Sequence, residues 1–247
     1  MRRLRYELIV NPLPDTDNTG VGRFDDRLGQ CPSINRTEIF CAVDFIFWRY
    51  FMKSQSSTAP VSRTRRHIRI LCECGVMIAL STVLSLLAII KFPWGGSVTL
   101  LSMLPVMLIA MKYGTGVGLS AAFVYSLTQL GLDLANLMSW GMTPGVWAGC
   151  LAFDYIVAFS VLGLAGLWRK KGLRGIVAGA ILSIFLRYVC HVISGWIFFG
   201  QYAWEGWAVL PYSLCYNGAY MLPEMIFTTV AAIILFRIPT MSKLLTE

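Results

Sequence analysis

The sequence predicts an all-α membrane protein: six transmembrane helices with both chain termini in the cytoplasm. Three observations carry this reading. The chain is 56% hydrophobic and only 14% charged, well to the apolar side of a soluble domain. From Ile70 onward it divides into six apolar stretches, each about the 17–25 residues a helix needs to cross hydrocarbon. Its bases cluster between alternate stretches, which is how orientation in a bilayer is encoded. A net charge of +8 could suggest nucleic acid, but bases confined to short inter-span clusters read as topology instead.

Residues 1–67 come first and differ from the rest, mixing charge, Pro and Gly with one apolar run, 39–51. That run is interrupted by Asp44 and too short to span. It also lies too far in, and lacks the small-residue cleavage site, to be a signal peptide. The segment is expected to be a disordered leader, or a misassigned start with Met52 as the true beginning. Its sequon, Asn35-Arg36-Thr37, carries little weight in a cytoplasmic segment.

Arg63, Arg65, Arg66 and Arg69 precede span one, 70–90. Spans two and three, 97–113 and 116–133, meet at a turn beside Lys112. Span four, 147–168, is separated from span five, 174–195, by Arg169, Lys170 and Lys171, with Arg174 following. Span six, 212–236, ends before Arg237 and Lys243. The remaining loops hold Lys91 as their only base, so 91–97, 133–147 and 196–211 are expected outside. The membrane domain is then 68–240, with 241–247 a cytoplasmic tail.

The spans contain no enzyme signature: no P-loop, no zinc-binding His pair, no nucleophile elbow. A non-enzymatic role is expected. Gly114-Thr115-Gly116-Val117-Gly118 lacks the Lys-Ser/Thr ending of a phosphate loop and reads as a tight turn with close helix packing. Seven cysteines without zinc-ligand spacing read as small buried hydrophobes. His67 and His191 are the only histidines; one falls in the cytoplasmic leader and the other in the outer half of a span, so no metal site is expected.

Polar residues inside apolar spans are costly and need partners or a cavity. They are Asp154 in span four, Arg187 and His191 in span five, and Asn217 and Glu224 in span six. Asp154, His191 and Asn217 fall at similar depth near the outer end. At helical spacing Trp147 and Asp154 share a face, as do Arg187 and His191. Tyr212, Tyr216 and Tyr220 recur every four residues beside Asn217 and Glu224, a polar aromatic stripe facing something other than lipid. Aromatic rings beside a buried carboxylate describe a pocket for a flat cationic ligand. For Arg187 and Glu224 the alternative to a role in such a pocket is a purely structural one, pairing with each other or with backbone, and Asp133 reads as a solvated loop residue. Pro223 should bend span six, and the outer tryptophans fit an interfacial belt. A proton relay through Asp154, His191 and Glu224, in a self-sufficient secondary transporter, is the rival reading from another class.

Several motifs occur together in order: Trp94-Gly95-Gly96-Ser97, Ser102-Met103-Leu104-Pro105, Asp154-Tyr155, Gly163-Leu164-Ala165-Gly166, Arg187-Tyr188 with His191 and Gly195, and Tyr212-Ser213-Leu214 with Tyr216-Asn217. Over residues 70–237 the chain resembles the thiamine-specific substrate-binding (S) subunit of energy-coupling factor (ECF) transporters. The resemblance implies an S-component bundle that captures thiamine outside. It implies partners as well: a membrane coupling subunit and two ABC-type ATPase subunits that use ATP, with no cofactor in this chain. It assigns ligand contacts to Trp94, Asp154, Tyr155, His191, Gly195, Phe199, Tyr212 and Asn217. Asp154 stands where the family has glutamate and Phe199 where it has a stacking tryptophan, which leaves room for a different affinity, another vitamin or a thiamine precursor. Gly75 and Ala79 match the small-residue surface of span one that docks on the coupling subunit. Residues 14–22 of the leader can be back-translated into the conserved stretch of an RNA leader that senses thiamine pyrophosphate, the ground for Met52 as the start.

Overall fold

The computed structural model describes residues 63–92 and 95–246, so Trp94 and residues 1–62, with the expectations placed on them, lie outside the described residues. Five helices are long and apolar enough to cross a membrane: α1 (Arg63–Leu86), α3 (Thr115–Ser139), α4 (Pro144–Gly166), α5 (Gly172–Phe198) and α6 (Val209–Arg237). Helix α2 (Leu104–Tyr113) is apolar but short, and α7 (Pro239–Thr246) follows α6. The helical class holds. A two-stranded antiparallel hairpin, β1 (Ala88–Lys91) with β2 (Ser97–Thr99), is the one sheet among the described residues.

The second apolar stretch is where the structure departs most from the expected run of spanning helices. Residues 97–113 are not one helix: β2 leads through a tight turn, with Leu101 at φ 59°, into α2. At 1.5 Å per residue α2 reaches about 15 Å, half the hydrocarbon core. Non-helical backbone at that depth is tolerated only where protein surrounds it. Val98, Thr99 and Ser102 of the non-helical segment are indeed buried, as are residues 103–111, Val106, Met107, Ala110 and Met111 completely. α2 is the centre of the bundle, and Pro105 in its first turn starts it without losing a needed donor.

Helix α4 is irregular along its length. It opens on Pro144, widens into a π-helix over Leu151–Val157 and tightens to 3-10 geometry over Val161–Gly166. The tightened end crosses α3 at glycine: a Cβ on Gly163 would strike the Leu119 backbone, and one on Gly118 would strike Ala110. The glycine run at 114–118 is therefore a turn with close packing, as expected.

The basic clusters gather at one end. Glu73 of α1 accepts from Arg69 Nε at 3.1 Å and Lys112 Nζ at 2.6 Å. It also accepts from the Tyr113 hydroxyl, and Arg169 donates to the Lys112 carbonyl. α1 is already helical at Arg63, the first described residue, and residues 239–246 form a helix that buries Met241, Leu244 and Leu245. The tail is thus packed against the bundle. Of the described cysteines only Cys150 is buried, while Cys72 and Cys215 are exposed, so the buried-hydrophobe reading fails for most of them; none forms a disulfide.

Candidate functional site

Opposite the basic end, α1, the hairpin and α3 to α6 enclose a cavity of about 390 Å³, within the range of small-molecule sites. Asp154, Tyr155, His191, Gly195, Phe199, Tyr212 and Asn217 all line it. Of the expected contacts only Trp94 lies outside the described residues.

Asp154 sits in the π-helical segment of α4, a geometry frequent at functional sites. The wide turn changes which side chains share its face. Trp147, expected beside it, does not line the cavity, whereas Cys150, Tyr155 and Phe159 do. Its carboxylate is held on both oxygens. His191 Nδ1 lies 2.8 Å from Oδ1, while the Ser194 hydroxyl and the Cys150 thiol donate to Oδ2. Neither Ser194 nor Cys150 stood out in the sequence as a partner, although Cys150 is four residues from Asp154 and Ser194 three from His191.

Helix α5 contributes His191, Arg187 and Gly195. Arg187 Nε lies 3.3 Å from His191 Nε2, and its guanidinium carbon is 3.9 Å from the centroid of the Phe159 ring. Glu224 takes the backbone option instead of Arg187: one oxygen accepts from both the Thr99 amide and the Thr99 hydroxyl. This buried carboxylate supplies an acceptor where span two stops being helical.

The tyrosine stripe of α6 faces the cavity as expected. Tyr212 and Tyr216 stack at 5.8 Å between centroids, and Tyr216 meets Tyr220 edge-on at 6.1 Å. Asn217 is buried between them. Its amide donates to the Ser213 carbonyl at 2.9 Å and the His191 carbonyl at 3.3 Å, and its oxygen accepts from Tyr220 at 2.6 Å. Asn217 thus ties α6 to α5 as well as facing the cavity.

At the mouth, Asp133 is helical and lines the cavity, not a loop residue, because α3 runs on to Ser139. Tyr155 donates to it at 3.2 Å. Phe199 meets Trp140 edge-on at 5.9 Å. Trp140 is the one tryptophan lining the cavity among the described residues; Trp196 and Trp204 are more than half exposed, as an interfacial belt requires. No cluster able to hold a metal ion occurs among the described residues. On α1, Gly75 and Ala79 are both exposed, and a Cβ at Gly75 would meet open space.

Comparison with known proteins agrees with this architecture. Residues 71–243 match the family described as thiamine transporter protein. The thiamine transporter ThiT of Bacillus subtilis is 30% identical over 190 residues, covering 71% of this chain and 94% of that protein. The thiamine transporter ThiT of Lacticaseibacillus paracasei is 30% identical over 148 residues, 55% of this chain and 71% of that protein. A solved structure of ThiT from Listeria monocytogenes aligns with a TM-score of 0.60 at 24% identity, covering 73% of this chain and 98% of that one, a likeness of fold.

Proposed function

The chain belongs to the thiamine transporter protein family, and from that premise we propose that it is the thiamine-capturing S subunit of an energy-coupling factor importer. It is a multi-pass membrane protein and a transporter component, not an enzyme. The observation that carries the capture role is Asp154: a carboxylate in an aromatic-lined cavity, its two oxygens already oriented by donors that add no fixed positive charge. A flat cation supplies the missing charge, and the rings of Tyr212, Tyr216 and Phe199 in the cavity lining give it aromatic surroundings. Thiamine, with its thiazolium cation, has that chemistry.

In this reading Asp154 faces the ligand charge, Trp94 and Phe199 cover a ring, and His191, Tyr155, Tyr212 and Asn217 direct polar groups. Gly195 lets α5 pack closely on Ser213 at the wall. Gly75 and Ala79, exposed on one face of α1, offer the coupling subunit a close approach, and two ATPase subunits drive release inward. Tryptophan-fluorescence titration of the detergent-purified chain with thiamine, using riboflavin and biotin as controls, tests the capture role. Saturable quenching by thiamine alone is expected; a response only to another vitamin reassigns the ligand. Reconstitution in vesicles tests the coupling role. Uptake that needs the coupling subunit and ATPases is expected, whereas uptake by this chain alone would favour the proton-relay reading.

A further inference from the structure

We infer that Arg187 is a positioning residue: it holds His191 in the tautomer whose proton is on Nδ1, which fixes Asp154 as an acceptor-only carboxylate facing the cavity. The consequence for thiamine rests on the capture role proposed above; the geometry does not.

The reasoning begins with what a guanidinium can do. Its N–H groups only donate, so the His191 Nε2 that lies 3.3 Å from Arg187 Nε must present its lone pair. A neutral imidazole then has its single N–H on Nδ1. That atom is 2.8 Å from Asp154 Oδ1, so it donates there. The other oxygen of Asp154 accepts from Ser194 and Cys150. Every donor to this carboxylate is therefore neutral, and its charge is left for a ligand to balance.

The remaining neighbours support this division. On α6, Tyr220 presents its ring to His191 at 6.1 Å between centroids, while its hydroxyl is committed to Asn217. Cys190, on α5 itself, offers no cation. The Arg187 guanidinium lines the same cavity, but it is stacked on Phe159 and lies within electrostatic reach of Glu224. Without Arg187, nothing in this shell selects Nε2 as the acceptor, and a ring protonated there would leave Asp154 without its His191 donor.

The chain has two histidines, so in a His67→Gln background without a polyhistidine tag His191 is the sole imidazole. Nitrogen-15 NMR of the ¹⁵N-histidine-labelled full chain in lipid nanodiscs, without ligand, reads the tautomer directly. The expected result is a protonated Nδ1 and an unprotonated Nε2. In Arg187→Met this single tautomer should be lost and thiamine affinity should fall by about tenfold or more. In Arg187→Lys, whose ammonium also donates, the tautomer should persist and affinity should return to within about threefold of the parent. A parent protonated on Nε2, or an Arg187→Met chain that keeps both tautomer and affinity, overturns the inference. If the parent shows the expected tautomer but does not bind thiamine, the capture role falls and the positioning role stands.

Discussion

Gly195 on α5 lies against Ser213 on α6 with no space for a methyl group between them; a Cβ there would collide with Ser213 Oγ. Ser213 in turn donates to the Val192 carbonyl at 2.9 Å and accepts from Asn217. One glycine thus controls the α5–α6 spacing on which the cavity depends. Gly195→Ala should displace Ser213 and with it Asn217. Overpacking of this kind costs about 1–3 kcal/mol, so thermal unfolding in detergent should shift down and thiamine titration should show an affinity loss of about tenfold or more. Unchanged values for both would mean that the helices separate freely at this point.

Asp154→Asn keeps the size of the side chain and removes its charge. If the carboxylate balances the cation, thiamine affinity should fall by at least about tenfold, equivalent to about 1.4 kcal/mol. The unfolding midpoint should change little, because Ser194 and Cys150 still have an acceptor or donor opposite them. Near-native affinity would remove Asp154 from the ligand's first contacts. A large fall in stability with it would show that the residue is a packing element.

Period-four arithmetic was enough to place Arg187 with His191 and to align the tyrosines of α6, because α5 and α6 are regular helices over those stretches. The same arithmetic failed in α4. Seven residues separate Trp147 from Asp154, but the π-helical turns between Leu151 and Val157 rotate the later face away from the earlier one, and no local residue pattern announces that widening. Span two was opaque for a different reason. Residues 97–113 are apolar enough for a helix, and what permits an extended segment instead is Glu224, 125 positions later in the chain. The polar residues that line the cavity were more legible than these backbone details, since a polar side chain in a span advertises itself. Ser194 and Cys150 did not, being small enough to pass as packing residues.

At the basic end, Glu73 gathers Arg69, Lys112 and Tyr113 and so joins α1 to α2. Lys112 has only 10% of its side chain exposed, so its charge depends on that partner. Glu73→Gln should cost about 1.5–3 kcal/mol, the worth of hydrogen bonds to a charged group, seen as a lower midpoint in detergent unfolding. Thiamine affinity should remain close to that of the parent, because the cavity lies at the opposite end. A loss of affinity without a loss of stability would imply that the two ends are coupled.

Glu224 gives the sharpest test of why span two can be broken. Its single oxygen Oε1 receives both the Thr99 amide and the Thr99 hydroxyl, and Ser102 is linked to the same hydroxyl at 2.6 Å. A glutamine at 224 retains an acceptor oxygen, so Glu224→Gln should unfold at nearly the parental temperature. Leucine fills similar space and offers none. Glu224→Leu should leave the Thr99 amide without its partner in an apolar surround, at about 1–3 kcal/mol, and should loosen the hairpin over Tyr220, on whose ring Gly96 rests. Hydrogen exchange at Thr99 measures that loosening directly: faster in the leucine variant, unchanged in the glutamine one. Equal exchange in both would mean that the carboxylate is not what supports the extended segment, and that the surrounding helices do so alone.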